Sequence, residues 1–146
     1  MCRVLTAYRS HSLVAGVAFH SLGSHRGGAF DVLLVVATDH AGIVLGTARM
    51  GPNRPGLGGH IGTASFNAPA ARGRGAGRAL AIDMIGGHRA QAFRGIQFNA
   101  VVETNTSAVA LWRALDLRSS APCGRPSTRS AAVWWVLHVM YLALST

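Results

Sequence analysis

The sequence predicts a single α/β domain, built on a mixed, mostly antiparallel sheet with one parallel β-α-β crossover and flanking helices. Its 146 residues suffice for one hydrophobic core, and 49% of them are hydrophobic. A β-branched run and a second apolar run, separated by a short turn-forming segment, predict an antiparallel hairpin. A strand-like run, a glycine-rich loop, a helix-like run and another strand-like run then follow in order, which is the pattern of a parallel crossover.

The first 50 residues contain the predicted hairpin. Residues Tyr8–Leu22 fit either an apolar helix or a strand, and Gly23–Gly28 predicts a loop. The β-branched segment Val32–Ala37 predicts a buried strand. Thr38–Gly42 is rich in turn-forming residues, so Ile43–Met50 is expected to return as the antiparallel partner.

The middle of the chain predicts the crossover. Gly51–Gly59 contains too many glycines and prolines for regular structure, so it is expected to be a loop before a strand at His60–Ala68. A helix is predicted from Gly75 to about Ala92, because apolar residues recur there at helical spacing. The glycine pair at 86–87 costs about 1 kcal/mol per glycine relative to alanine, which predicts fraying or an early helix end.

The last third predicts a strand, a helix, a loop and a final strand. Ile96–Val102 alternates polar and apolar residues, as a strand does. Asn105 is a good N-cap for a helix whose apolar face comprises Ala108, Leu111, Trp112 and Leu115. Ser119–Ser130 is rich in serine and proline and predicts a loop, and Val133–Leu142 predicts the closing strand.

The glycine–arginine segment Arg72–Arg78 carries the clearest functional signal. Its alternating glycines allow the backbone to approach a ligand, and the amides of a following helix N-terminus favour an anion such as pyrophosphate. A Walker-type phosphate loop is excluded because the chain contains no lysine. A Rossmann fingerprint is not met either, because Arg78 stands where its third glycine belongs.

Two motifs in order identify a family resemblance. Pro69–Leu80 resembles the P-x-x-R-G-x-G-x-G-x-x-L core of the GNAT superfamily of N-acetyltransferases, and Asn105–Trp112 resembles that family's N-x-x-A-x-x-L-Y/W helix. The resemblance covers roughly Val32 to Leu117, with a weaker match at Val139–Tyr141. It implies a GNAT-like sheet with a shortened N-terminal part, and direct transfer of an acetyl group from acetyl-CoA, the co-substrate, to an amine.

The resemblance also implies which residues bind acetyl-CoA. The pyrophosphate loop and helix start are expected to hold its diphosphate, and the strand edge before that loop to hold its pantetheine arm and thioester oxygen. Asn67 departs from the family, which has an apolar residue there. The implied cofactor-binding residues are Asn67, Ala68, Arg72, Gly73, Arg74, Gly75, Ala76, Gly77, Arg78 and Asn105.

The proton-transfer groups are less determined. Glu103 is the first candidate for the general base because it follows a strand of the crossover, and His60, which opens the other strand, is the second. A water relay from solvent is a third route. The family's acid is a tyrosine at the position of Trp112, whose indole is not a useful acid, so Tyr141 is the candidate that remains.

Composition limits the partners and the compartment. The net charge of +9 favours polyanions, so a nucleic-acid-binding module is an alternative, as is an inactive CoA-binding relative. No aromatic residues alternate with the arginines, so no specific nucleic acid is expected. The two cysteines predict free thiols more than a bridge, and the seven histidines lack metal-ligand spacing, so no metal is expected.

Location and assembly follow from the chain's two apolar ends. The first segment imitates a signal peptide only weakly and Ala131–Leu144 is too short to span a bilayer, so a cytoplasmic protein with no membrane contact is expected. Homodimerisation is expected through the last strand, as an exposed apolar sheet edge.

Overall fold

The computed structural model describes residues 18–25, 32–68, 75–123 and 136–144. Within them the elements in chain order are β1 (Ala18–His25), β2 (Val32–Thr38), β3 (Val44–Pro52), a 3₁₀ turn (Gly56–Gly58), β4 (Ile61–Asn67), α1 (Ala76–Ala90), β5 (Gly95–Val102), α2 (Thr106–Arg113), β6 (Arg118–Cys123) and β7 (Leu137–Ala143). The strands form one sheet in the order β1-β2-β3-β4-β5-β7-β6. Every neighbouring pair is antiparallel except β4 and β5, which are parallel and joined by α1. The predicted mixed sheet with one parallel crossover is confirmed.

Both helices pack against the same face of the sheet, which we call the helix face. His88 of α1 lies against Gly62, and Trp112 of α2 packs on Phe66, which is four residues further along the same strand. Side chains four apart in a strand share a face. The opposite face, which we call the open face, carries the alternate residues, including Arg49 and Gln97.

The core lies between the helix face and the two helices. The largest fully buried hydrophobic side chains are Leu80 and Met84 of α1, Ile96 of β5, Leu117 after α2 and Met140 of β7. Burial of each such side chain contributes roughly 1.5–3 kcal/mol. The core therefore fixes α1 across the crossover, with its first residue at the end of the sheet where β4 finishes.

The helix ends form as their sequences predict. The Asn105 side chain accepts a hydrogen bond from the Ala108 N–H at 3.2 Å, which caps α2. Ala92 after α1 has φ 60°, and Asp116 after α2 has φ 64°. Each residue follows the end of a helix, and both adopt the left-handed conformation that a helix stop favours.

Three loop predictions are wrong in part and one helix prediction is resolved. The predicted 51–59 loop begins inside β3, which runs to Pro52, and contains the 3₁₀ turn. Part of the predicted 119–130 loop is strand β6, and β1 continues to His25, beyond the predicted loop start at Gly23. An edge strand tolerates Pro122 and polar residues because one side of its backbone needs no partner in the sheet. Helix α1 runs unbroken through the glycine pair at 86–87.

The last strand is not the exposed edge that the sequence predicted. β7 lies between β5 and β6, so the edges of the described sheet are β1 and β6. The dimer interface expected at β7 therefore loses its physical basis, because both edges of that strand are paired. Homodimerisation itself stays a prediction.

His88 is a buried polar group in the core. Its Nδ1 donates to the Met84 carbonyl oxygen at 2.9 Å, and Nε2 has no hydrogen-bond partner among the described residues. Burial lowers the pKa of His88 below the ordinary value of 6.5, and backbone groups of Met84, Gly51 and Thr63 only partly offset this. The folded chain therefore holds a neutral imidazole.

We expect folding stability to fall as the pH drops below 6.5. The unfolded chain protonates His88 at its ordinary pKa while the folded chain resists, so the unfolded state gains protons first. The loss is at most about 1.4 kcal/mol per pH unit. Urea unfolding of the wild type and of His88→Met from pH 7.5 to 5.5 measures it, and equal slopes in the two proteins would show that other groups are responsible.

Candidate functional site

The parallel strands β4 and β5 separate soon after they begin. They pair only at Ile61–Gly95 and Gly62–Ile96, and within the described residues no further pairs join them up to Asn67 and Val102. At roughly 3.3 Å per residue the resulting gap is about 15 Å long. Main-chain N–H and C=O groups along its two edges are available to an extended ligand.

Three aromatic rings fill the helix face of this gap. Trp112 of α2 lies 5.0 Å from Phe66 of β4 and 4.5 Å from Phe98 of β5, measured between ring centroids. Trp112 is only 6% exposed. The residue at the family's acid position thus acts as a core side chain that joins the two diverging strands.

Helix α1 begins beside the wide end of the gap, which is the end near Asn67 and Val102, opposite the paired end at Ile61 and Gly95. Gly75 precedes it with φ 77°, no side chain caps the helix, and its first turn contains no acidic residue. The first α-helical hydrogen bond is from the Ala79 N–H to the Gly75 carbonyl, so the amides of Ala76, Gly77 and Arg78 have no acceptor within the helix. This helix end therefore presents N–H groups without intrahelical acceptors, together with the positive end of the helix dipole, to an anion.

The predicted cofactor residues are partly placed. Gly75 and Arg78 are exposed at the helix start, whereas Arg72, Gly73 and Arg74 lie outside the described residues. Asn67 is exposed at the end of β4, opposite Thr47 of β3.

Two further predicted cofactor residues have structural roles. Ala68 is partly buried, and its Cβ lies where a side chain on Gly46 would stand. Asn105 caps α2 and is itself exposed, so its side chain is accessible from solvent.

The candidate bases lie at opposite ends of the gap. Glu103 follows β5 at the wide end, and His60 precedes β4 at the paired end, where its Nδ1 lies 2.8 Å from the Leu57 carbonyl oxygen. Because the two strands are parallel, the start of one and the end of the other are far apart. The structure does not bring Glu103 and His60 together.

Tyr141 reaches the paired end of the gap on the open face. A Cβ atom at Gly95 would collide with the Tyr141 ring and hydroxyl, so the ring lies directly over Gly95. Gly95 is one of the two β5 residues that still pair with β4. The Tyr141 hydroxyl is therefore positioned where the two strands begin to separate.

His138 joins the site, although sequence reasoning missed it. Its Nε2 lies 4.0 Å from the Glu103 carboxylate, and its Nδ1 lies 3.3 Å from the Ser119 hydroxyl. The His138 side chain is 12% exposed and that of Glu103 is 57% exposed. Strand periodicity places His138 on the same face of the last strand as Met140, but it does not place His138 beside Glu103.

Three carboxamides form a network on the open face, which we call the amide cluster: Asn53, Gln97 and Asn99. The Asn99 Nδ2 donates to the Asn53 Oδ1 at 2.6 Å, and the Gln97 Nε2 donates to the Asn99 Oδ1 at 2.8 Å. Asn53 follows β3 and Asn99 belongs to β5. Because β4 and the gap both lie between these two strands, the cluster crosses them near the paired end of the gap.

The described residues offer neither a metal site nor a membrane span. No three His, Cys, Asp or Glu side chains in the described ranges are grouped as a metal ion would require. Neither described helix is long and apolar enough to cross a bilayer.

Solved structures share this fold and, in one case, much of this sequence. Neither a family profile nor a curated protein matches the chain. A GCN5-related N-acetyltransferase from Kribbella flavida is 48% identical at a TM-score of 0.73, with 83% of this chain and 71% of that chain covered.

Two neighbours were solved with acetyl-CoA. A GNAT superfamily phosphinothricin acetyltransferase from Sinorhizobium meliloti, in complex with AcCoA, is 27% identical at a TM-score of 0.64, with 79% of this chain and 61% of that chain covered. An acetyltransferase from Salmonella typhimurium with its cofactor acetyl-CoA is 24% identical at a TM-score of 0.65, with 80% and 66% covered, and supports the fold alone.

Proposed function

Because the chain belongs to the GCN5-related N-acetyltransferase (GNAT) family, we propose that it transfers the acetyl group of acetyl-CoA directly to an amine. The observation that carries this proposal is the uncapped start of α1 beside the gap between β4 and β5. An anion-binding helix end and an unpaired strand edge suit the two ends of one ligand, a diphosphate and its extended amide-containing arm. We place the reaction in the cytoplasm.

The diphosphate is held by main-chain amides. The N–H groups of Ala76, Gly77 and Arg78 have no acceptor within the helix, and the exposed Arg78 side chain adds charge. Among the described residues outside the helix's own backbone, the atom nearest to the place a Cβ on Gly77 would occupy is Leu111 Cδ2, at 4.0 Å. Packing therefore does not require glycine there, whereas close approach of a diphosphate does.

The gap binds the rest of acetyl-CoA and stabilises the charge that develops on the thioester. The arm pairs with the free edges of β4 and β5, which directs the thioester towards the paired end. The amine nitrogen attacks the carbonyl carbon, a C–N bond forms, the C–S bond breaks, and the sulfur leaves as thiolate. A strand N–H aimed at the carbonyl oxygen stabilises the negative charge there during the attack.

Glu103 accepts the proton of the incoming ammonium through water molecules in the gap, because its carboxylate lies at the wide end whereas the thioester lies towards the paired end. Its carboxylate lies at the wide end of the gap and beside His138, which can take the proton on to Ser119 and solvent. His60 stays a weaker candidate, because its ring is bonded to the Leu57 carbonyl at the other end of β4.

An inactive CoA-binding relative is the second candidate function. It is favoured by the burial of Trp112, which replaces the family's acid with a side chain that cannot protonate the thiolate. Tyr141 is the remaining candidate acid, because its hydroxyl lies over Gly95 at the paired end of the gap.

Calorimetry with purified protein tests the proposal. We expect acetyl-CoA to bind, and free CoA to compete with it, since both carry the diphosphate. Absence of any binding heat would end the assignment. Binding without release of free thiol over a broad panel of amines would favour the inactive relative instead.

A further inference from the structure

The open face beside the gap has an uneven charge distribution. Four acidic residues lie in the described ranges, and none is on this face. Asp39 lies in the turn after β2, Asp83 in α1, Glu103 beside His138, and Asp116 after α2. A cationic acceptor such as a polyamine would find no carboxylate to pair with among these open-face residues.

Two arginines flank the gap on the same face. Arg49 of β3 is exposed between the buried Ala48 and Met50, and it pairs in register with Ser65 of β4. Neighbouring strands lie about 5 Å apart, so Arg49 stands one strand from the gap.

Arg118 stands on the other side of the gap. It pairs in register with Tyr141, which pairs with Gln97 of β5, so the three share one row across the open face. Arg118 is thus two strands, about 10 Å, from the gap.

The amide cluster lies between the arginines and suits a zwitterion. Each carboxamide nitrogen carries two hydrogens. The short bonds of the cluster use one hydrogen of Asn99 and one of Gln97. The second hydrogen of each can reach a carboxylate, and the carbonyl oxygen of Gln97 can accept from an ammonium. A neutral polar surface of this kind repels neither end of an amino acid.

We propose that the acceptor is an amine that also carries a carboxylate or comparable anionic group, with Arg49 as the principal residue that binds the anion. This inference rests on the proposed acetyl transfer and names the substrate class of the same site. The acceptor enters from the open face, its anion lies against Arg49 and the amide cluster, and its amine faces the thioester in the gap. Arg118 contributes a weaker, more distant attraction.

Matched acceptors test the proposal. We would use one acidic, one polar and one apolar amino acid. For each, we would compare the free amino acid (the acid), its α-carboxamide and its decarboxylated amine, and measure the release of free thiol. Rates are expressed relative to the concentration of unprotonated amine, because the amino groups of the three compounds have different pKa values. We expect the acid to exceed the amine in kcat/KM by at least about tenfold in the series that the enzyme uses, as a charge-assisted contact implies.

Arg49→Gln locates the anion contact. It should lower kcat/KM for the acid about tenfold, leave the decarboxylated amine unchanged and leave the Kd of acetyl-CoA unchanged. Arg89→Gln, which removes the same charge from the exposed end of α1, is the matched control.

The outcomes distinguish a wrong acceptor class from a wrong assignment of acetyl transfer. Equal or better use of the amine in every series, or turnover of amines but of no acid, overturns the anionic acceptor. Failure to bind acetyl-CoA overturns the acetyl transfer itself. Loss of acetyl-CoA affinity in Arg49→Gln would show that this arginine serves the cofactor and would also overturn its assigned role.

Discussion

Replacing Gly77 with aspartate should stabilise the folded chain and at the same time remove its affinity for acetyl-CoA. The residue lies in the first turn of α1, where no acidic side chain now complements the helix dipole. A carboxylate there stabilises a helix by about 0.3–1 kcal/mol, and replacing a helical glycine adds a few tenths. The same carboxylate repels a diphosphate and competes for the free amides, so affinity should fall about a hundredfold.

Two further variants separate size from charge. Gly77→Ala adds a methyl group 4.0 Å from Leu111, the nearest described side chain, so it should not destabilise the fold. It should weaken acetyl-CoA binding at least about tenfold by blocking close approach. Gly86→Ala is the matched control, because that glycine lies exposed in the same helix with no atom within 4 Å of the added Cβ. It should stabilise the helix by about 1 kcal/mol and leave binding unchanged.

The measurements are thermal unfolding without ligand and calorimetric titration with acetyl-CoA. If this helix end binds the diphosphate, folding stability should rise while the affinity for acetyl-CoA falls. The reason is that the residue that suits binding at position 77 is not the one that stabilises the helix most. Aspartate at position 77 with unchanged affinity would place the diphosphate elsewhere and would remove the central support for the cofactor site.

The crossover and its helix start could be predicted from the sequence because their signals are local. Glycine spacing, an N-cap at Asn105 and helix stops at Ala92 and Asp116 depend on backbone conformations that single residues favour or permit. Strand β6 could not be predicted in the same way. Its polar, proline-containing sequence forms a strand only because β7 supplies hydrogen bonds on one side.

The position of His138 relative to Glu103 depends on a β-bulge that periodicity does not reveal. β5 advances three residues from Phe98 to Val101 while β7 advances two, from Met140 to His138. One extra residue in β5 shifts the side-chain alternation, so Val101 is buried where simple alternation predicts Ala100. Tertiary pairing, and not local preference, therefore brings the histidine to the carboxylate.

Glu103→Gln should lower kcat about a hundredfold while the Kd of acetyl-CoA stays unchanged, which is the loss typical of a removed general base. The substitution keeps the shape of the side chain, and the Glu103 backbone N–H continues to donate to the Val136 carbonyl at 2.9 Å. Because the side chain is largely exposed, the fold should not change. Steady-state kinetics with a saturating acceptor, together with calorimetry, measure both quantities.

Three comparison variants assign the proton path. His60→Gln at the paired end should leave kcat within about twofold, because its ring faces the Leu57 carbonyl. His138→Gln removes the proton carrier behind the carboxylate and should lower kcat less than Glu103→Gln does, whereas Tyr141→Phe should slow the reaction only if thiolate protonation limits it. A large effect of His60→Gln beside a small effect of Glu103→Gln would reverse the assignment and move the base to the start of β4. A fall in kcat that accompanies an equal fall in acetyl-CoA affinity would instead mean that Glu103 shapes the gap, because a base acts on the reacting proton and not on the bound cofactor.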